Sequence, residues 1–272
     1  MKKNLFLIVL IILCIQSSTF CQSPWNNKKG SFYAQAAFTS IRYGFAFDNE
    51  GNVQELSASV LDQTYTGFLD YSLTDRIALT GTIPTKRVGF DGDQLIALGD
   101  IDLKARYQII KDVPFTVYGG YTFPTATKQG PLRTGFKVNA LEGGLAYGRS
   151  NSEIHSSFSA GYRLRNSIPD QIIIGIEIGT SISTGALELL MALRVDGALN
   201  TSQPTEFDAL TQESNLHNYN GQFLSPGIKI GTKLNSGISI NLGSYGAFFA
   251  QNQGAAPSIN LSVAYELEKG VE

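Results

Sequence analysis

A stretch of nine residues, IDLKARYQI from Ile101 to Ile109, alternates strictly between apolar and polar side chains. The odd positions are apolar, and the even positions include Asp102, Lys104 and Arg106. Successive side chains of a β-strand point to opposite faces of a sheet. The stretch therefore predicts a strand with one apolar face and one charged face.

The same period of two recurs along most of the chain. It is clear in Glu153–Arg165, Leu187–Asp196 and Ile259–Leu267. Weaker or longer copies predict eight further strands, at Phe32–Asp48, Val53–Leu73, Arg76–Ile83, Phe115–Phe123, Lys137–Gly148, Gln171–Ser183, Gly227–Leu234 and Ile238–Phe249. The first two of these lose their phase internally, which predicts a β-bulge or an extended rim. In total the sequence predicts about twelve strands.

The connections between the predicted strands alternate in length. The short ones are Thr74-Asp75, Lys111–Pro114, Ser150–Ser152, Thr184–Ala186 and Asn235–Gly237. The longer ones are Asn49–Asn52, Asp91–Gly99, Ala126–Thr134, Asn166–Asp170, Thr201–Asn218 and Gln251–Ser258. Short periplasmic turns and longer outer loops are typical of transmembrane β-barrels. We therefore predict an all-β fold, an antiparallel up-and-down transmembrane barrel; a soluble β-sandwich or lipocalin-like barrel is the alternative.

The N-terminus has the pattern of a secretory signal peptide. Lys2 and Lys3 precede an apolar run from Leu5 to Ile15, which is too short to span a bilayer. We expect cleavage between Cys21 and Gln22; an uncleaved anchor helix and a lipoprotein modified at Cys21 are the alternatives. The predicted organisation is a signal peptide at 1–21, a short periplasmic segment at 22–30, the barrel at 31–268 and a tail at 269–272.

Composition excludes several classes of protein. Both cysteines, Cys14 and Cys21, lie in the signal region, so the mature chain has no disulfide and no thiolate metal site. Without Lys2 and Lys3, 19 of the 21 basic residues remain against 23 acidic ones, a formal net charge of −4. A nucleic-acid partner is not expected from such a chain, because it would require a basic surface. No cofactor or metal site is predicted.

Aromatic residues on the apolar parity predict two belts of the kind found at both interfaces of a lipid bilayer. Near the short turns these residues are Tyr71, Tyr107, Phe115, Tyr147 and Tyr265. Towards the longer loops they are Phe45, Phe47, Phe123, Tyr162 and Phe248. The plain alternative is that aromatic residues simply favour strands.

The polar parity predicts the residues that line the lumen. The basic candidates are Arg42, Lys104, Arg106, Arg163, Arg165, Arg194, Lys229 and Lys233, and the acidic ones are Asp70, Asp102, Glu142, Glu153, Glu177, Glu188, Asp196 and Glu266, with His155 beside them. Because unpaired charge in a narrow lumen is costly, we expect most of them to pair across strands. The lumen is then either a constricted polar passage or a closed, salt-bridged core.

Sequence patterns for catalysis are weak. His155 lies on one predicted strand between Glu153 and Ser157, at alternate positions, so a Ser-His-acid hydrolase is conceivable. Such an arrangement is more often a plain polar face, and no catalytic elbow, phosphate loop or dinucleotide motif is present. We predict that the chain is not an enzyme.

Three stretches resemble one outer-membrane family, the transporters linked to the phenol meta-degradation pathway (MetA-type). They are Leu73–Ile77 followed by Ile83-Pro84, then Gly99–Tyr107, then Tyr121–Thr125. The resemblance implies an outer-membrane barrel that moves small hydrophobic or aromatic molecules and has no catalytic residues. Its expected partners are outer-membrane lipid, the barrel-assembly machinery and a small-molecule cargo.

Overall fold

Strands make up nearly all of the regular structure in this protein. The computed structural model describes residues 24–110, 112–151, 153–185, 187–202 and 221–267. No helix in these ranges is long and apolar enough to span a membrane. The predicted signal peptide, the tail and most of the 201–218 loop lie outside the described residues.

Seventeen strands are present in the described ranges. They are β1 (Phe32–Phe47), β2 (Val53–Ser72), β3 (Ile77–Phe90), β4 (Asp93–Leu98), β5 (Ile101–Gln108), β6 (Phe115–Phe123), β7 (Lys128–Gln129), β8 (Leu132–Arg133), β9 (Ala140–Ser150), β10 (Ile154–Arg165), β11 (Gln171–Ser183), β12 (Leu187–Asn200), β13 (Gln222–Leu234), β14 (Ile238–Tyr245), β15 (Phe249–Gln251), β16 (Gln253–Gly254) and β17 (Ser258–Leu267).

Twelve of these strands form a closed antiparallel barrel, as the sequence predicts. The circuit runs β1-β2-β3-β5-β6-β9-β10-β11-β12-β13-β14-β17 and returns to β1. The pairing of Phe32 with Leu267 and of Ile41 with Ser258 closes it. The short strands β4, β15 and β16 pair with β3, β13 and β1, and β7 pairs with β8.

Alternation along each strand separates the two faces of the wall. Outward-facing apolar side chains are exposed; Leu193 of β12, for example, is 65% exposed. Its inward-facing neighbour Ala192 is buried, as is Ala146 of β9 beside the exposed Leu145. The barrel therefore presents an apolar exterior, and its small and polar side chains point into the interior.

Short turns at one end are fixed by side-chain hydrogen bonds. Asn151 Oδ1 accepts hydrogen bonds from the backbone amides of Glu153 and Ile154, at 3.0 and 2.7 Å. Thr74 does the same for Arg76 and Ile77. These are the local bonds by which Asn and Thr favour turns over continued strand. We call this the short-turn end of the barrel and the opposite side the long-loop end.

At the long-loop end the strands extend further than predicted. β3 continues through Pro84 to Phe90 and pairs with β4, so the predicted loop Asp91–Gly99 contains a strand. β13 begins at Gln222 and passes through Pro226, ahead of its predicted start. The predicted irregularity in β1 is confirmed, because its register with β2 shifts between Tyr43 and Phe45.

The expected aromatic residues mostly face outward. At the short-turn end Tyr71, Tyr107, Tyr147 and Tyr265 are exposed and Phe115 is half-buried. At the long-loop end Phe45, Phe123, Tyr162 and Phe248 are exposed. The prediction for Phe47 is wrong, because this side chain packs against buried interior residues.

Candidate functional site

The interior of the barrel changes in chemistry along its axis. On β12, the inward-facing side chains include Arg194 and Asp196 near mid-strand and then Ala198 close to the long-loop end. β11 follows the same order, with Glu177 at mid-strand and Ile173 towards the long loops. The interior at β11 and β12 is therefore charged in the middle and apolar towards the long-loop end, whereas on β2 and β3 the ion pair of Asp62 with Lys86 lies beside the apolar side chains.

Two apolar clusters close the long-loop end. The first contains Ile41, Tyr43, Val60, Val88, Phe90, Leu95 and Leu132. The second contains Ile173, Ala198, Phe223 and Ala250, with Phe47 and Ala247 packed against it. Because of these buried apolar side chains, a molecule that enters from the long-loop end must pass hydrocarbon before it reaches the middle of the interior.

Below these clusters lies an open chamber of about 700 Å³. Its wall combines uncharged hydrogen-bonding groups such as Gln35, Asn241 and Ser262 with apolar side chains such as Phe68 and Leu190. The predicted lumen residues that line it are Asp70, Arg106, His155, Glu177, Glu188, Arg194, Asp196, Lys229, Lys233 and Glu266. A chamber of this volume holds a small organic molecule.

Residues ahead of β1 reach into the barrel interior at the short-turn end. Pro24 is fully buried, and Trp25 lines the chamber. The Trp25 ring stands edge-on to His155, with their centroids 6.4 Å apart. A Cβ on Gly148 of β9 would lie 2.6 Å from Pro24 Cγ and 2.8 Å from Trp25 Cζ2. The missing side chain of Gly148 therefore makes the space that the two residues occupy.

Hydrogen bonds hold this N-terminal segment, residues 24–30, across the opening. Asn26 Oδ1 accepts from Arg106 Nε at 2.8 Å, and the backbone amide of Lys29 donates to Asp75 Oδ1 at 2.8 Å. Asn27 lies 3.4 Å from Glu266 Oε1. Nothing in the sequence pattern predicts these contacts, because the segment is too short to show a period.

Buried ion pairs fill the part of the interior between β2 and β10. Glu142 Oε1 accepts from Lys104 at 2.8 Å, and its Oε2 accepts two bonds from Arg163, at 2.6 and 2.9 Å. Arg106 forms two bonds with Asp70, at 2.5 and 2.9 Å. Asp102 accepts a hydrogen bond from Thr122 Oγ1. Such pairing offsets the cost of taking these charges out of water.

On the opposite wall, Glu177 faces three cationic or titratable groups. Its carboxylate lies 3.3 Å from His155 Nε2, 3.7 Å from Arg194 Nη1 and 3.6 Å from Lys229 Nζ. Arg194 is itself bound to Asp196 at 2.7 Å. Separately, Lys233 bonds to Glu266 at 2.7 Å, and Glu188 lines the chamber close by.

Two of the predicted lumen residues lie elsewhere. Arg42 lies between the buried residues Ile41 and Tyr43, so it is on the outward face, where it is exposed and donates to Ser59. The prediction for Arg42 is wrong because the interior is apolar and the exterior polar at this end of β1, which inverts the usual assignment. Glu153 lies exposed in the short turn before β10 rather than on the strand.

Arg165 lies at the long-loop end of β10, above the second apolar cluster. It is 7% exposed, donates to the carbonyl of Pro169 at 2.6 Å and to Asn200 Oδ1 at 3.2 Å, and stacks over Phe136. It does not line the chamber with the other predicted basic residues. Arg165 therefore belongs to the rim and not to the chamber.

Parts of the three stretches that carry the family resemblance, namely Pro84, Gly99-Asp100 and Thr125, meet at one corner of the long-loop end. Asp100 accepts hydrogen bonds from the backbone amides of Ala126 and Lys137, both at 3.1 Å. Thr125 donates to the carbonyl of Gly99, whose own amide donates to the carbonyl of Pro84 at 2.8 Å. Burial raises the pKa of Asp100, while the backbone amides that donate to it oppose the rise. Together these bonds fold residues 126–137 over the interior.

The hydrolase alternative finds no support in this geometry. His155 and Ser157 both line the chamber, but no hydrogen bond joins them among the described residues. A nucleophile and its base need that contact. Within the same residues, no group of three or more His, Cys, Asp or Glu side chains is arranged to hold a metal ion.

Comparison with known proteins shows similarity in structure but not in sequence. No family model matches the chain, and no curated protein matches it. The structure resembles the COG4313 outer membrane channel from Pseudomonas putida F1, with 14% identity, a TM-score of 0.65 and coverage of 93% of this chain and 100% of the other. It also resembles the β domain of the Bordetella autotransporter BrkA, with 11% identity, a TM-score of 0.51 and coverage of 87% and 100%.

At these identities the comparisons show the fold alone. The chain is a closed barrel of twelve strands and shares the fold of an outer membrane channel. The finer resemblance, to the transporters of the phenol meta-degradation pathway, stays a prediction from the sequence.

Proposed function

We propose that this protein is an outer-membrane barrel that admits small molecules with an apolar body to its central chamber. The observation that carries the proposal is a closed barrel that is apolar outside and hollow and polar inside. The short-turn end then faces the periplasm, and the long-loop end faces the outside of the cell.

The exterior supports residence in a lipid bilayer. Leu103, Leu145, Ile178 and Leu193 come from four different strands, and each exposes roughly half or more of its side chain. Soluble monomers rarely expose apolar patches larger than a few hundred Å². Hydrocarbon would cover this surface at no cost in hydrogen bonds, because every barrel strand is paired on both sides.

The order of layers in the interior supports a cargo that is at least partly apolar. A molecule arriving from outside meets the two apolar clusters before the polar chamber. Partition into the clusters favours compounds with hydrocarbon or aromatic surface, at about 25 cal/mol for each Å² removed from water. The fold shared with an outer membrane channel, and the sequence resemblance to transporters of aromatic compounds, agree with this assignment.

The described conformation is narrow at both ends. The apolar clusters close the long-loop end, and the N-terminal segment crosses the short-turn end. Passage therefore requires movement of at least one of them, and we expect small conductance from the unmodified protein.

A second function, a structural barrel with a closed core, is favoured by the Glu142 and Asp70 ion pairs. Planar-bilayer recording with protein whose folding is verified by heat-modifiable gel mobility separates the two. The channel proposal predicts small discrete currents, and uptake of benzyl alcohol into proteoliposomes faster than into empty vesicles. A correctly folded barrel with neither current nor uptake would favour the structural role.

A further inference from the structure

One wall of the chamber carries several polar side chains that make no side-chain hydrogen bond among the described residues. This wall, formed by β13, β14 and β17, carries Lys229, Asn241, Ser258 and Ser262. In contrast, other charged groups of the chamber are engaged: Arg106 with Asp70 and Arg194 with Asp196 on other strands, and Lys233 with Glu266 on the same wall nearer the short-turn end. A buried polar group that makes no hydrogen bond is costly, so each one calls for a physical explanation, and a bound ligand is one such explanation.

Lys229 places a positive charge on this wall beside Asn241. Its ammonium lies 3.6 Å from Glu177 and makes no hydrogen bond within the described residues, and its side chain is 34% exposed to the chamber. An ammonium has three N–H donors, so Lys229 has donors to spare for a ligand. Glu177 does not depend on it, because His155 and Arg194 also face that carboxylate.

Asn241 and the serines supply neutral donors next to this ammonium. Asn241 is 7% exposed, lines the chamber and has no side-chain hydrogen bond in the described part of the chain. It pairs with Ser262 on β17, and it is the diagonal neighbour of Lys229, which pairs with Gly243. Diagonal neighbours on one face of a sheet are close enough for long side chains to meet around one ligand.

Glycines make the space that the side chains of this wall occupy. Gly231 and Gly243 are the inward-facing partners of Asn241 and Lys229, and neither has a side chain to fill the wall. The Asn241 amide lies over the bare backbone of Gly231, and a Cβ at that position would overlap it. The ring of Tyr245 packs in the same way over Gly227 and Gly243. The result is a recess that is rich in donors and has an aromatic ring at its side.

We propose that this recess binds the carboxylate of a small aromatic or short-chain organic acid. Lys229 would contribute the charge, Asn241 and Ser262 would donate hydrogen bonds, and the apolar body would lie against Tyr245. This inference rests on the proposed function only for the route by which the acid arrives. A neutral alcohol would use Asn241 and Ser262 without needing Lys229, and an amine would favour Glu188 or Glu177 instead.

The single tryptophan of the chain makes the binding measurable. Trp25 lines the same chamber, so a ligand that enters it changes the fluorescence of Trp25. We would titrate folded protein in detergent with benzoate, benzyl alcohol and benzylamine. Benzoate is expected to give a saturable change and to bind at least about tenfold more tightly than the other two, the range for a hydrogen bond to a charged group.

Variants test the assigned groups. Lys229→Met keeps the length of the side chain and removes its charge, and it should weaken benzoate binding at least about tenfold. Lys229→Arg should stay within a few-fold of the natural protein. Asn241→Leu should weaken benzoate by several-fold, and Lys128→Met, on the exposed β7, is the matched control and should change nothing.

The outcomes separate this inference from the proposed function. Each variant is first shown to fold by heat-modifiable gel mobility, and its conductance is recorded from the same preparation. Equal affinity for benzoate in the natural protein and in Lys229→Met, or preference for benzylamine or benzyl alcohol, would overturn the carboxylate site even if the barrel conducts. Benzoate binding that needs Lys229 would support the site even in a barrel without measurable current.

Discussion

The contact between Gly148 and the N-terminal segment offers a precise way to open the short-turn end. In Gly148→Ala the new Cβ would lie 2.6 Å from Pro24 Cγ and 2.8 Å from Trp25 Cζ2, where ordinary contacts are about 3.5–4.0 Å. β9 is paired with β6 and β10 and cannot retreat. The segment must therefore move away from the wall.

The size of the expected displacement follows from the strain that the new Cβ adds and from the hydrogen bonds that hold the segment. Overpacking of this kind costs about 1–3 kcal/mol. The bonds of Asn26 to Arg106 and of Lys29 to Asp75 each contribute about 0.5–1.5 kcal/mol, so the added strain is comparable to what retains the segment. At a factor of ten for each 1.4 kcal/mol, the displaced population should rise roughly five- to 150-fold.

Two assays report the displacement. Iodide quenching of Trp25 fluorescence should increase, because the ring leaves its niche, and single-channel current should rise in planar bilayers. Gly119→Ala is the matched control, since a Cβ there meets only Glu142 O at an ordinary 3.7 Å. If Gly148→Ala and Gly119→Ala quench and conduct alike, the segment does not block the barrel, and the reasoning fails.

Three further perturbations test other parts of the account. Asp100→Ala removes the acceptor of two backbone amides, costing about 1–3 kcal/mol locally, so protease should cut residues 126–137 faster while the barrel stays resistant. Arg106→Met leaves Asp70 buried without its cation, and denaturant unfolding in micelles should show a loss of about 3–5 kcal/mol; a loss below 1 kcal/mol would contradict the pairing. Leu193→Lys puts a charge on the outward face and should destabilise the lipid-embedded barrel by about 2–4 kcal/mol, whereas a soluble protein would tolerate it.

Period-two patterning predicted the barrel because every strand of this fold separates two environments. The stretch Ile101–Ile109 is representative: Leu103 is exposed outward, while Arg106 is buried inside against Asp70. Short turns were predictable for a local reason, since Asn151 and Thr74 make their turn with their own neighbours.

The period-two pattern gave wrong predictions where the chemistry of the barrel interior and exterior changes. Near the long-loop end of β1 the interior is apolar, so Ile41 points inward and Arg42 points outward. The rule that holds in the middle of the barrel, with apolar residues outside and charged residues inside, predicts the reverse. Pro84 lies inside β3 and Pro226 inside β13. Because proline is expected near strand ends, the sequence predicted both strands to be shorter than they are.

Contacts distant in sequence left no pattern to read. The N-terminal segment depends on the space left by Gly148, more than 100 residues away, and glycine in a strand signals close approach without naming the partner. The donor-rich recess depends on which residues of β13, β14 and β17 come into register. That register places Lys229 beside Asn241, and the sequence of any one strand does not show this placement.

The central claim is that lipid, rather than another protein surface, covers the apolar exterior. It is tested most directly by diluting the urea-unfolded mature chain into buffer with and without phospholipid vesicles, and running unheated and heated samples on a gel. We predict a compact, heat-shifted band and strand circular dichroism only with vesicles, and aggregation without them. A monodisperse, folded protein in plain buffer would contradict the account.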